Sequence, residues 1–277
     1  MKGLLNGLIV IGLLMQANFV LADIFRHEDA KGNISFSDKP SNNSTRVEPA
    51  TKTYRYKHYV KRVYDGDTIV LENGDRIRLL GINTPEIESR HRQGEDGGVT
   101  AKQWLKNKLK QGTVFLEYDV EKKDKYDRFL AHLFLANGDH INKDIVQAGL
   151  ATLSIIPPNL RYQDELKEAE DFAEKQELGI WGMASYQPIS IEKLSKSAKI
   201  SGWNRFLATA TKVKITRKYV RLILNDKVNI RIPKSNLVLF PDLEQYIGKP
   251  VEIRGWASRT KDHFSILIRH PSAIILL

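Results

Sequence analysis

Between Lys57 and Leu135 the chain breaks into five short β-type runs: Tyr59 to Val63, Thr68 to Leu71, Arg76 to Leu80, Thr113 to Tyr118 and Arg128 to Leu135. Asn73-Gly74 and Asn137-Gly138 supply turns beside them, because both residue types tolerate positive φ. Three stretches with helical spacing sit between and after these runs. Val99 to Leu109 places Ala101, Trp104, Leu105 and Lys108 in register, and Asn142 to Ala148 is a short helix ending near Gly149. Tyr162 to Glu177 puts Leu166, Ala169, Phe172 and Ala173 on one face. Strands this short cannot bury a core singly. Five of them with packed helices predict a small closed barrel in an α+β chain.

The remaining segments divide around that region. Lys2 precedes an apolar run from Leu4 to Met15, and Val20-Leu21-Ala22 forms a small-residue cleavage site. Residues 1–22 therefore read as a secretory signal peptide rather than an uncleaved anchor, since the run is short for ~30 Å of hydrocarbon. No stable membrane span is expected after its removal. Residues 23–40 read as a small module, with turn chemistry from Asp29 to Gly32 between two strand-like runs. Residues 41–56, rich in Ser, Asn and Thr, read as a linker, and so do 184–201. The central unit is expected over 57–183. Residues 202–277 are expected to form a second, smaller all-β unit, with runs at Phe206 to Ile215, Val220 to Leu224, Val228 to Ile232, Val251 to Ala257 and Phe264 to Ile268.

The chain of 277 residues has a formal net charge of +10, unevenly placed. Residues 188–277 hold 17 Lys and Arg against 6 Asp and Glu, whereas 57–183 hold 19 against 22. A basic excess points to an anionic partner, and its position points to the C-terminal unit as the part that holds it. There are no cysteines. That excludes a disulfide scaffold, thiolate metal sites and a cysteine nucleophile, and an exported chain of this kind fits a bacterial periplasm or secreted space. The seven histidines show no zinc-binding pattern, and His132 reads as a packed or exposed strand residue. No Gly-x-Ser-x-Gly elbow or phosphate-cradling glycine loop is present.

Three pieces of the central region carry chemistry. They are Asp65-Gly66-Asp67-Thr68, then Arg78-Leu79-Leu80-Gly81-Ile82-Asn83-Thr84-Pro85-Glu86, then Asp124-Lys125-Tyr126-Asp127-Arg128. Each alone is ordinary turn or loop chemistry. In this order and spacing they resemble the staphylococcal nuclease (thermonuclease) family. The resemblance covers roughly 57–183 and includes Asn142, Ile145, Val146, Gly149, Leu150 and Ala151, and the closing Gly179-Ile180-Trp181.

That resemblance implies a five-stranded oligonucleotide-binding (OB) barrel with three helices. It also implies a Ca²⁺-dependent phosphodiesterase that cuts DNA and/or RNA with little sequence specificity and leaves 3′-phosphates. Arg78 and Arg128 match the family's catalytic arginines, and Glu86 matches the acid that orients or deprotonates the attacking water. Asp67, Asn83 and the Thr84 carbonyl match the metal ligands. Lys125 and Tyr126 match positions that hold the terminal phosphate and sugar. The assignment is chemically coherent, since in-line attack on an anionic phosphodiester needs cationic clamps and a positioned water.

Two departures stand out. Asn83 replaces a second calcium-ligating aspartate, which predicts weaker binding or a changed metal preference. Ser154-Ile155-Ile156-Pro157-Pro158 lacks the family's pair of base-stacking tyrosines. The loop from Ser89 to Gly98 carries Arg90, His91 and Arg92, which read as a solvated loop or as substrate contacts.

The aromatic-Arg, Asp-x-x-Gly and Phe-Ser-Asp pattern of 23–40 resembles a small module of many exported bacterial proteins, and the residues name no partner for it. In the C-terminal unit, cations interleave with aromatics: Trp203, Arg205 and Phe206; Arg217, Lys218, Tyr219 and Arg221; Arg254, Trp256 and Arg259; His263 and Phe264. Val251 to Trp256, with Arg269-His270-Pro271, is similar to a barrel-like C-terminal domain of some exported nucleases. Two readings follow: a second OB-type barrel that captures nucleic acid, or a basic domain whose aromatics fill its own core. For the whole chain, the alternative to an enzyme is a catalytically silent nucleic-acid-binding protein. The presence of Arg78, Glu86 and Arg128 together favours the enzyme.

Overall fold

The computed structural model describes residues 24–28, 34–37, 39, 44–47, 54–89, 93–196 and 202–277. The segment read as a signal peptide, the turn at Asp29 to Gly32 and the loop residues Arg90 to Arg92 lie outside them. Contacts divide the chain into two compact units, 1–53 and 54–277.

In the first unit, β1 (Ile24–Glu28), β2 (Ile34–Ser37) and β3 (Ser44–Val47) form an antiparallel sheet in the order β2-β1-β3. The third strand falls in the stretch 41–56 whose composition reads as a linker.

The second unit begins with β4 (Tyr56–Val63), β5 (Thr68–Leu71), β6 (Arg76–Leu79) and β7 (Ile82–Asn83). Then come α1 (Gly98–Lys108), β8 (Thr113–Lys123), β9 (Phe129–Phe134), α2 (Ile141–Gln147), β10 (Thr152–Leu153) and α3 (Gln163–Lys175). The five longer strands close into a barrel, β4-β5-β6-β9-β8, with β6 and β9 parallel. On β6, Ile77 and Leu79 enter the core while Arg76 and Arg78 alternate away from it. The period of two in a strand thus puts the apolar pair inside and aims Arg78 outward. Ala101 and Leu105 of α1, Ile141 and Ile145 of α2, and Leu166 and Ala169 of α3 complete that core.

One helix face differs from its sequence reading. Phe172 is 47% exposed, and Glu170 is fully buried in its place. The reason lies in the C-terminal strands. After β11 (Ile189–Ser190) and α4 (Ile191–Lys196) come β12 (Trp203–Thr209), β13 (Lys212–Ile215), β14 (Tyr219–Ile223) and β15 (Val228–Pro233). Two short 3₁₀ turns, Lys234–Leu239 and Leu243–Tyr246, lead into β16 (Pro250–Thr260), β17 (His263–Leu267) and β18 (Ile274–Leu276). They form one eight-stranded sheet in the order β11-β12-β16-β17-β15-β14-β13, with β18 on β16. The path from β12 to β13 begins and ends on consecutive pieces of one run, Trp203–Thr209 and Lys212–Ile215, so the strands curl back to their start as in an OB-type barrel with a bent first strand. The single run expected from Phe206 to Ile215 is interrupted at Ala210, which bridges Ile247 instead. Leu194 of α4 is buried in this core, so much of the segment 184–201 is built into the unit rather than connecting two parts.

Arg254 of β16 reaches Glu170 at 2.8 Å, Glu174 at 2.5 Å and Glu252 at 2.6 Å. Arg205 of β12 pairs with Glu252 at 2.7 Å and also with Glu174. Trp181 lies beneath both guanidiniums, at 5.2 and 5.0 Å. The network joins the sheet to the barrel's last helix. It also settles two of the interleaved motifs: Arg205 and Arg254 are internal counterions, and Phe206 and Phe264 are core.

A second buried polar cluster lies between β8, β9, α2 and the start of α3. Glu117 accepts hydrogen bonds from Arg55 Nε (3.0 Å), Arg161 Nη1 (2.9 Å) and Tyr162 Oη (2.8 Å). His132 Nδ1 lies 3.2 Å from His140 Nε2, and both rings pack on Tyr162. Burial pushes His140 down to about 4 and His132 well below the usual imidazole range. An unfolded histidine takes a proton near pH 6.5, whereas these resist it until much lower pH. The unfolded state therefore gains protons first, and stability falls as pH falls through that window. His140 alone accounts for roughly 2–3 kcal/mol. Thermal melting from about pH 7 to pH 4.5 is expected to show a marked loss in wild type and a smaller one in His140→Gln.

Candidate active site

The loop from β4 to β5 holds Asp65, Gly66 and Asp67 against the loop that follows β7. A Cβ on Gly66 would lie 2.7 Å from Thr84 Oγ1 and from Ala101 Cβ, so only glycine lets the two loops touch. The contact brings Asp67 to Thr84, whose N–H donates to Asp67 Oδ2 at 3.0 Å. Asp67 is buried and also accepts from Thr68 Oγ1 at 3.0 Å. Its neighbour Asp65 accepts the Asp67 N–H at 3.0 Å. Burial and the charge of Asp67 push the Asp65 carboxyl up to about 7.

Arg78 sits at the centre. Nη2 lies 3.0 Å from Asp67 Oδ2 and 3.3 Å from Asn83 Oδ1, and Nη1 donates to the Leu79 carbonyl at 2.7 Å. Asn83 Nδ2 in turn donates to the Thr84 carbonyl at 3.2 Å. A carboxylate from Asp67 and an amide oxygen from Asn83 thus meet at one cationic group, with the Thr84 carbonyl held beside them by Asn83. All are hard oxygen donors, which suits Ca²⁺ rather than a thiolate-loving metal. The described residues contain no cluster of three or more histidine or acidic side chains placed to hold an ion. A cation here would fill its shell with water and substrate oxygen.

Arg128 is pinned by Asp124. Asp124 Oδ2 takes Arg128 Nε at 2.8 Å and Nη2 at 2.7 Å, and Oδ1 takes the backbone N–H at 3.0 Å. These bonds hold the Asp124 carboxyl below its usual range against the opposing effect of burial. Parallel pairing of β6 with β9 brings Arg128 to the same side as Arg78. Both line a groove of about 290 Å³ with Lys125, Ser154 and Ile156. Tyr126 is not among the groove's lining residues. Its ring is 67% exposed and lies against the Lys125 ammonium and the Arg128 guanidinium.

Glu86 lines the adjoining pocket of about 430 Å³ with Asn83, Gln93 and Glu95. Its backbone is held at both ends by Glu95: Glu86 N–H donates to Glu95 Oε2 at 3.0 Å, and Glu95 N–H donates to the Glu86 carbonyl at 2.8 Å. A Cβ on Gly98 would meet that carbonyl at 2.4 Å, so a glycine is needed where α1 begins. Asp124 and Glu95 are positioning residues that sequence reasoning passed over. For Asp124 the signal was present, an acid four residues before an arginine. For Glu95 none was.

A model of the staphylococcal nuclease homologue family matches residues 76–183. The thermonuclease of Staphylococcus intermedius is 34% identical over 176 residues, covering 62% of this chain and 97% of that protein. The chain belongs to the staphylococcal nuclease family. Another relative, endonuclease YncB of Bacillus subtilis (strain 168), is 31% identical over 173 residues, 58% of this chain and 82% of that protein. The thermonuclease of Staphylococcus hyicus is 34% identical over 125 residues, 44% of this chain and 73% of that protein. This member of the staphylococcal nuclease family is a nuclease, a phosphodiester hydrolase. Its barrel is the family's OB fold, to which the C-terminal sheet is added.

Proposed function

We propose that the chain is an exported, Ca²⁺-dependent phosphodiesterase that cuts DNA and/or RNA with little sequence preference and leaves 3′-phosphates. The observation that carries this reading is the sharing of one groove by Arg78 and Arg128, with Glu86 in the pocket that opens beside it across Asn83. Two planar guanidiniums can each grip two phosphate oxygens, and that grip strengthens as charge builds in the transition state. Glu86 orients the attacking water or takes its proton. The water oxygen bonds to phosphorus, the bond from phosphorus to the 5′-oxygen breaks, and that oxygen leaves as a 5′-hydroxyl, the proton given up by the water balancing the one it gains. Lys125 holds a flanking phosphate from the groove wall, and Tyr126 packs on the sugar beside it.

Asp67, Asn83 and the Thr84 carbonyl would hold the cation. When bound, it supplies further positive charge to the phosphate oxygens. With one carboxylate in place of two, this site is expected to bind Ca²⁺ weakly. Export rests on the sequence pattern of residues 1–22, and no helix among the described residues is long and apolar enough to cross a membrane. The test is digestion of single- and double-stranded DNA and RNA by the mature protein in Ca²⁺, Mg²⁺ or chelator, with end-group analysis. The reading predicts cleavage in Ca²⁺, none in chelator, and 3′-phosphate ends. Cleavage undiminished by strong chelation would remove the metal from the account.

A further inference from the structure

The Arg78–Arg128 groove has no aromatic ring in its lining, and Ser154 and Ile156 stand on one of its walls. A flat ring comes instead from the C-terminal sheet. Trp256 on β16 is 45% exposed, whereas Trp181 is buried and Trp203 is half-buried against Trp181 and Tyr186. Trp256 lines the pocket that holds Asn83 and Glu86. It also lines a narrow cleft with Ser154, Ile156 and Arg269. Ser154 and Ile156 belong to the Arg78–Arg128 groove as well, so these hollows are neighbours in a row from the barrel onto the sheet. Arg269 is exposed and makes no ion pair with any described residue. Arg254, two residues before Trp256, is clamped to α3 by Glu170 and Glu174, so the ring is held at a set position beside the barrel.

We propose that Trp256 and Arg269 form a nucleotide subsite in which Trp256 stacks on a base and Arg269 holds a phosphate of the same strand, one or more nucleotides from the scissile bond. The subsite rests on the nuclease reading for its substrate class. Its chemistry is that of single-strand binding, a ring for any base and a cation for the backbone. The C-terminal sheet thereby serves as a wall of the substrate track, and its basic surface gathers the polymer toward Glu86.

The test is binding in chelator, where no cutting occurs, by fluorescence anisotropy of fluorescein-labelled oligothymidylate, with thymidine 5′-monophosphate as competitor. The full mature chain is used throughout. Wild type is expected to prefer the oligonucleotide strongly. Trp256→Ala reduces that preference about ten-fold, and Trp256→Phe retains most of it. Arg269→Ala weakens oligonucleotide binding and makes the log–log salt slope shallower by about 0.7. An unchanged preference in Trp256→Ala, or an equal loss for oligonucleotide and mononucleotide, would overturn the subsite. The nuclease reading fails separately, if wild type binds oligonucleotide but cuts no nucleic acid in Ca²⁺.

Discussion

Replacing Arg78 with alanine is expected to lower kcat on DNA by about 10³-fold. Its guanidinium touches Asp67 and Asn83 while lining the groove. Alanine removes a clamp whose value is greatest when the phosphate carries its extra charge, so the loss falls on kcat more than on KM. Lysine keeps the charge but offers no planar fork, and Arg78→Lys is expected to recover only part of the rate. The alanine variant also leaves the buried Asp67 carboxylate beside Asp65 without its counterion, so its melting temperature should fall as well. Steady-state kinetics and melting on the same three proteins separate the two effects. If Arg78→Lys matches wild type in kcat, bidentate phosphate contact is not the residue's role.

The largest stability effect is expected at Arg254. Its guanidinium faces Glu170, Glu174 and Glu252 with almost no solvent, and that surrounding negative charge raises its affinity for the proton. Removing one partner of a buried pair costs about 3–5 kcal/mol, because the charge left behind is neither solvated nor paired. For a unit of this size, Arg254→Ala should lower Tm by roughly 10 °C. Burial already raises Glu170 above the usual carboxyl range, and Arg254 is the main influence opposing it. A folded carboxyl pKa above its unfolded value means that folding is disfavoured as pH rises. The deficit of Arg254→Ala should therefore be largest at neutral pH and shrink as acid protonates Glu170. Adding Glu170→Gln to Arg254→Ala should restore part of the lost Tm. Paired melts at neutral and acidic pH measure both trends, and a pH-independent deficit would mean the loss is one of packing rather than charge.

The barrel was legible in the sequence because its signals are local. Asn73-Gly74 and Asn137-Gly138 turn where expected, with φ of +91° and +92° at the glycines, and β5 pairs with β6 across the first of them. The candidate site's proximity was legible for the same reason: Arg78 meets Asp67 and Asn83, and Asn83 shares a pocket with Glu86, all on adjoining strands and loops. What periodicity missed came from partners far along the chain. Helical spacing assigned Phe172 to the core because it could not see Arg254, which takes the neighbouring Glu170 inside instead. The same pairing withdrew Arg205 and Arg254 from the set of cations available to a phosphate. Composition marked 184–201 as a linker, yet Leu194 is covered by a sheet formed mostly from later residues. In the basic C-terminal unit, interleaving of cations and aromatics did not distinguish core from surface. Burial did, and it leaves Trp256 as the exposed ring beside Glu86.

In the proposed mechanism Glu86 acts at the phosphate held by Arg78 and Arg128. The most direct test is the single-turnover cleavage rate of a DNA oligonucleotide in Ca²⁺ by wild type and Glu86→Gln, a substitution of nearly equal shape. Glu86→Gln is expected to cut at a rate lower by about 10³-fold, with an unchanged melting temperature. Cleavage by Glu86→Gln at the wild-type rate would contradict it.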